Sequence, residues 1–231
     1  MNDFSILMQI NLLEYAALAL FVFVWLALGF WIEHPGARRL SVTVLMSERR
    51  RDWMAVFVTR DPRIFDSQIL GSLRQSTSFF ASTCIFAIGG VLAMIGNPVS
   101  LEGFAMQVGD TTPIVVWQMK LGVVGLFLTN AFLKFVWSNR VFGYCAVMMA
   151  AVPNDPDDPI AYPRAAQAAE LNIRAAINFN RGLRSVYFAL GAVAWLLGPL
   201  ALVGATIVVG WTVWSREFAS IPREILLKDA P

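Results

Sequence analysis

Four long apolar runs, each bounded by charged or turn-forming residues, set the rhythm of this chain and predict four helices. They cover Tyr15 to Ile32, Phe79 to Ile95, Ile114 to Val136 and Tyr187 to about Trp214. Runs of this length match the roughly 20 residues needed to cross about 30 Å of bilayer hydrocarbon. The second run is part of something longer. Arg60-Asp61-Pro62 offers a capping Asp and a Pro at the first helical position, and no further Pro follows until Pro98. The predicted helix, Arg60 to Gly96, is about 50 Å long, so its apolar half belongs in lipid and its polar half outside. A helix starting near Tyr162-Pro163 repeats the design. Its polar stripe, Gln167, Glu170, Arg174, Asn178 and Arg181, precedes the fourth run. Glu170 four residues before Arg174 predicts a helical ion pair.

The stretches between the runs are shorter elements. Leu40 to Val58 reads as an amphipathic helix whose Leu45, Trp53, Val56 and Phe57 face protein or the bilayer surface. Residues 97–113 read as a short loop, and the Pro- and Asp-rich 153–159 as turns. Trp117 and Trp137, and Tyr15 and Trp31, stand at the two ends of their runs as interfacial anchors.

Charge then orients the pattern. Residues 33–75 carry eight Arg (38, 39, 49, 50, 51, 60, 63 and 74), and 134–186 carry Lys134 and five more. The loop between the second and third runs has none, and neither does the N-terminal tail with its Asp3 and Glu14. Basic residues collect on the cytoplasmic side. Segments 33–78 and 137–186 are therefore expected in the cytoplasm, 96–113 outside, and both termini outside. The expected location is an inner (plasma) membrane, bacterial on the family resemblance given below, crossed several times. Composition agrees: of 231 residues, 57% are hydrophobic and 15% charged, against about 25% charged in soluble domains. The fold class is all-α, an integral membrane bundle of four transmembrane helices in one domain. The second and fourth extend into a helical cytoplasmic part.

Net charge is +2, with no basic-aromatic pattern, so no nucleic-acid partner is expected. Cys84 and Cys145 form no disulfide framework, and a lone His34 excludes a site of several imidazoles within one chain. Small residues predict where helices approach: Ser82, Gly89, Ala93 and Gly96 in the second run; Gly122, Gly125 and Thr129 in the third; Gly191, Ala194, Gly198, Ala201 and Ala205 in the fourth. The first run, with Phe21, Phe23, Trp25, Phe30 and Trp31, is expected at the periphery, and Pro199 is expected to bend the fourth.

Polar residues inside the apolar runs are costly and normally partnered. Asn130 and Lys134, one turn apart, lie in the cytoplasmic third of the third run. At that depth the neighbouring helices offer Arg74, Ser78, Arg140, Asn180 and Arg184. These seven are the candidate site, a net-positive cytoplasmic mouth for an anionic lipid headgroup or solute. The bland alternative is snorkelling basic residues with one interhelical hydrogen bond. Asp155, Asp157 and Asp158 lack calcium-loop spacing and read as turn chemistry, and Glu33-His34 reads as a solvated interfacial pair. No nucleotide loop, nucleophile elbow or metal motif appears, so no catalytic residue, metal or cofactor is expected.

Several blocks together resemble a family of bacterial and plant membrane proteins catalogued as domain of unknown function 599. They are Asp61-Pro-Arg-Ile64 with Asp66, Ser78-Phe-Phe-Ala-Ser-Thr83, Lys134-Phe135, Trp137-Ser138, Arg140, Tyr144-Cys145, Phe179-Asn180, Gly182-Leu-Arg184, Tyr187-Phe-Ala-Leu190 and Arg216-Glu-Phe218. Val141-Phe142-Gly143 departs from the more polar residues usual there. The resemblance implies the membrane topology and brings no activity with it. The functional expectation is a non-enzymatic membrane protein acting through partners: anionic inner-leaflet lipids, a membrane protein, or further copies of itself. Alternatives are an oligomeric transporter or channel for a small anion using Asn130, Lys134 and Arg184, and an inner-leaflet lipid-modifying enzyme drawing on Asp66, His34 and the acidic run.

Overall fold

Ser41 shows how locally these helices are set: its hydroxyl donates to the Ile32 carbonyl (2.7 Å) and accepts from the Val44 amide (3.3 Å), ending one helix and capping the next. A computed structural model describes residues 12–34, 36, 39–108 and 112–228, all of it helix and connecting turn. Asp3, Arg38 and Asp110, which enter the charge count, lie outside the described residues. In chain order the helices are α1 (Leu12–Glu33), α2 (Val42–Thr59), α3 (Ile64–Ile95), α4 (Pro98–Val108), α5 (Ile114–Ala150), α6 (Ala161–Val193), a 3₁₀ turn (Ala194–Leu197), α7 (Pro199–Phe218) and α8 (Ile221–Lys228). Four stretches, Leu12–Glu33, Ile64–Ile95, Ile114–Ala150 and Pro199–Lys228, are long and apolar enough to cross a membrane.

The antiparallel pair α5 and α6 forms the centre. It is stitched by Asn130 Nδ2 to Ser185 Oγ (2.7 Å), Ser138 Oγ to the Ala175 carbonyl (2.7 Å) and Cys145 Sγ to the Ala168 carbonyl (3.3 Å). Gly182 permits the closest approach: a Cβ there would stand 2.7 Å from Phe135 Cε1. On the other flank of α5, α3 runs antiparallel, tied by Gln118 to the Ile95 carbonyl (2.9 Å) at one end and Asn139 to Ser78 (3.0 Å) at the other. Helix α2 lies antiparallel across α6, pairing Arg51 with Glu170 (2.8 Å). That contact replaces the expected Glu170–Arg174 pair, and the Glu170 carboxylate holds the Arg51 guanidinium above its ordinary pKa.

The fourth apolar run is where the structure departs most from expectation. Residues 187–214 were expected as one bent crossing, but the chain doubles back within them. Gly198 takes φ +108, and Pro199 opens α7 at its first turn, where its missing N–H costs nothing. Helices α6 and α7 therefore form an antiparallel hairpin. A Cβ on Gly191 would lie 3.1 Å from Val209 Cγ2, and Arg216 donates to the Tyr187 hydroxyl. Pro199 starts a helix; it does not bend one.

The hairpin changes the position of the chain ends. Glu14 stands beside Lys120 (3.0 Å) and Trp195, at the end of the bundle that carries the α6–α7 turn. Phe218 packs on Trp31 (5.2 Å between rings), and Arg223 donates to the Leu40 carbonyl (2.9 Å), at the opposite end. The described chain thus begins at one end and finishes at the other, against the expectation of both termini on one side.

Smaller departures follow from local chemistry. Helix α3 begins at Ile64, with no side-chain cap from Asp61. The stretch after Pro98, expected as loop, is helix α4, and its Phe104 meets Trp117 edge to face (5.7 Å). Phe21, expected at the periphery, is fully buried between Phe127 (5.4 Å) and Phe188 (5.1 Å). Of the small-residue positions, Gly191 packs against Val209 and Phe21, and Gly125 reaches Val91 (3.6 Å), whereas Gly89 and Gly122 meet nothing within 4 Å.

Candidate functional site

Three helices meet at the basic end of the bundle, and their spacing decides what faces what. Asn130 and Lys134 lie one turn apart on α5, and Arg181 and Arg184 three apart on α6, so each pair shares a helix face. The last residue of α1, Glu33, completes the group. Its carboxylate accepts from Arg181 Nε (2.9 Å) and Nη2 and from Arg184 Nη2. Arg184 is 7% exposed and Glu33 is largely buried, so this pair is shielded, while the Arg181 side chain, 41% exposed, closes the triad from the solvent side. Asn130 holds Ser185 on the adjacent turn. Together with Trp25, Leu26 and Phe30 of α1, these polar groups line a cleft of about 310 Å³ that also receives Lys134. Three cations face one carboxylate, and that carboxylate is already engaged by two of them.

Of the seven predicted residues, Asn130, Lys134 and Arg184 share this cleft. The other four do not join it. Arg74 Nε reaches Asn139 Oδ1 (3.4 Å), and Asn139 donates on to Ser78 (3.0 Å), on the exposed flank of α3 and α5. Arg140 is exposed and donates to the Tyr144 hydroxyl one turn on. Asn180 donates to Thr43 (3.2 Å) and lines a different cavity. Arg74 and Arg184, expected in one mouth, stand in different surroundings: one is exposed, the other buried against a carboxylate. The mouth divides because residues at one depth on different helices point around the bundle rather than into a shared centre.

Sequence reasoning missed Glu33 as the counter-ion, having paired it with His34. His34 instead stacks on Phe30 (4.6 Å) in the open. The available signal was an acid ending an apolar run, with Arg181 and Arg184 at helical spacing ahead of another. A second missed pair lies at the far end: Lys120, 2% exposed, bonds Glu14 (3.0 Å), which also accepts from Trp195 Nε1.

The remaining motif residues are engaged locally. Asp66 is fully buried, accepting from Trp53 Nε1 (2.6 Å) and from Arg60 through Oδ1, while Oδ2 meets no donor among the described residues. Arg63 donates to the carbonyls of Val152 (2.8 Å), Pro153 (2.7 Å) and Val58 (3.1 Å) and lies over the Phe57 ring. The Asp61-Pro-Arg-Ile block thereby clamps the α2–α3 corner to the turn after α5. Asp155 and Asp158 accept from amides two residues on (3.0 Å each), which is turn chemistry as expected. Among the described residues no group of His, Cys, Asp or Glu is arranged to hold a metal ion.

Residues 16–222 match the family model described as "Protein of unknown function, DUF599", and the chain belongs to that family. No curated protein matches it, and no solved structure does.

Proposed function

We propose that this family member is a non-catalytic bilayer protein that binds the headgroup of an anionic lipid in the cleft between α1, α5 and α6. One observation carries the reading. Lys134 enters a cleft whose only carboxylate among the described residues, Glu33, is already held by Arg181 and Arg184, so the cleft has both room and unmatched positive charge. Anionic headgroups concentrate at the cytoplasmic leaflet, where basic juxtamembrane residues attract them. The Trp25, Leu26 and Phe30 wall suits the acyl side of such a ligand.

The test is to purify the full chain in mild detergent, expose it to mixed phosphatidylglycerol and phosphatidylcholine vesicles, and count retained lipids by native mass spectrometry. The protein should retain phosphatidylglycerol in preference. Lys134→Met, which keeps the stem and removes the charge, should weaken one bound lipid about tenfold, in line with the loss of one charged hydrogen bond. Equal retention by Lys134→Met would sink the reading.

A further inference from the structure

Helices α2 and α6 present two matched stripes to one cavity. Thr43, Met46, Ser47 and Arg50 recur at helical spacing on α2, and Ile173, Ala176, Ile177 and Asn180 do so on α6. Side-chain hydrogen bonds join the two helices at both ends of these stripes. Asn180 donates to the Thr43 hydroxyl (3.2 Å) at one end, and Arg50 donates to the Asn172 amide oxygen at the other. Seven positions separate Thr43 from Arg50, so the two joints stand about 10 Å apart. Phe142 of α5 and Leu73 of α3 complete the apolar wall between them. The cavity holds about 490 Å³, within the ordinary range for small-molecule sites.

The two ends differ in charge. At the Thr43 end, α7 contributes one charge of each sign. Glu217 accepts from the Thr43 amide (3.0 Å) and hydroxyl (2.9 Å), and Arg216 turns to the Tyr187 hydroxyl. At the other end Arg50 stands alone. It makes no ion pair with a carboxylate among the described residues. A guanidinium carries five N–H donors, and the acceptor this one meets, Asn172, is neutral. Ser47 and Ser76, which also line the cavity, give their hydroxyl protons to the carbonyls of Thr43 (2.9 Å) and Ser72 (3.1 Å) on their own helices. Withdrawal from water pulls the Arg50 pKa below its ordinary value, opposed by the nearby Cys145 thiol. Charge shielded from water is costly unless an opposite charge or a set of acceptors meets it. Arg63 meets that requirement with three carbonyls. Arg50 does not.

We propose that this cavity binds a monocarboxylic acid, its carboxylate forked on Arg50 and its hydrocarbon body laid along Ile173, Ala176 and Ile177 against Phe142. A guanidinium offers two parallel donors that match the two oxygens of one carboxylate. The charged residues lining the cavity are Arg50, Arg216 and Glu217, so one added negative charge brings the set to neutrality and a dianion overshoots it. The apolar stretch of about 10 Å between the two polar joints calls for hydrocarbon behind the carboxylate. Such an acid comes either from the bilayer, as a long-chain fatty acid, or from solution, as a shorter one. The site shares no charged residue with the α1–α5–α6 cleft, so the two proposals stand or fall separately.

Equilibrium dialysis of radiolabelled octanoate against the full chain in mild detergent, with empty micelles as the blank, tests the site. Octanoate should bind saturably, one per chain. The uncharged 1-octanol, with the same hydrocarbon body, should compete about tenfold less well. Arg50→Met removes the fork, and Ala176→Phe fills the cavity while keeping it; Ala176 is half-buried, so the core packing is spared. Each variant should weaken octanoate about tenfold, and Lys134→Met should leave it unchanged. Should Arg50→Met fail to fold, Ala176→Phe and the octanol comparison decide. Hexadecanoate binding tighter than octanoate, after correction for uptake by micelles, assigns the site to a bilayer acid; equal or weaker binding assigns it to a soluble one, and both results support a carboxylate site. The site is refuted if the unaltered protein binds no octanoate above the blank, if octanol competes as well as octanoate, or if the folded variants bind as the unaltered protein does.

Discussion

At the scale of single residues, Gly198 has the largest consequence. Its φ of +108 with ψ of 172 belongs to a region that L side chains avoid, and nothing crowds the position where a Cβ would go. The penalty for a side chain there is conformational, on the order of 1–3 kcal/mol. Gly198→Ala should therefore destabilise the purified protein by about that amount in a denaturing-detergent titration. Gly89→Ala, inside α3 with nothing near the added Cβ, should be neutral or stabilising by about 0.5–1 kcal/mol. Equal effects at the two positions would mean that the α6–α7 turn is not held as the structure has it. The Gly198-Pro199 pair was visible in the sequence, but it reads equally as a bend or as a reversal. Periodicity cannot separate the two, because a long apolar run looks the same whether it crosses once or folds on itself. Glu33 was hidden for a related reason: a residue's sequence neighbour, here His34, points away from it, and its real partners lie some 150 positions on.

Among the elements, the α5–α6 pair depends on how closely two helices can approach. Gly182 lets the Phe135 ring occupy the space a side chain would fill, with three ring atoms within 2.9 Å of a built Cβ. That ring cannot retreat easily, since Phe80 stacks on it (5.4 Å) and Phe179 closes its other side (5.4 Å). Gly182→Ala is thus an overpacking change, expected to cost about 1–3 kcal/mol. Phe135→Leu, mildly destabilising alone, should recover part of that loss in the double variant, because a shorter side chain vacates the contested volume. Strict additivity in a double-mutant cycle would show that the two positions do not touch. Helix existence was legible here, in the lengths and apolar content of α1, α3 and α5. The choice of contacts was not. The small-residue stripe on α3 predicted packing that α3 does not make within the chain, while Gly182, outside every predicted stripe, makes the tightest contact of the central pair. Small residues permit close approach on any face they occupy, and only the arrangement of the whole bundle decides which face is used.

For the whole molecule, the hairpin resolves a conflict in the charge pattern. With a single fourth crossing, Arg216, Arg223 and Lys228 would lie on the side opposite the two long basic segments, against the positive-inside tendency. With α7 returning beside α6, these three join the Arg-rich end: Arg216 touches Tyr187, and Arg223 touches Leu40. Among the described residues the basic group left at the other end is Lys120, and Glu14 neutralises it in a buried pair (3.0 Å). A bilayer placed across α1, α3, α5 and α7 therefore has nearly all of its fixed positive charge on one face. The C-terminal end should be cytoplasmic along with residues 42–59 and 161–181. Cysteines introduced singly at Ser100, Arg164 and Ile221, on a background whose native Cys84 and Cys145 are buried, would report this in intact cells. A membrane-impermeant maleimide should label Ser100→Cys directly, and Arg164→Cys and Ile221→Cys only after permeabilisation. Labelling of Ile221→Cys from outside, alongside Ser100→Cys, would restore the single crossing and remove the cavity shared by α2, α6 and α7. That cavity exists only because the last apolar helix comes back to the side it started from, bringing Glu217 into hydrogen bonds with Thr43 on α2.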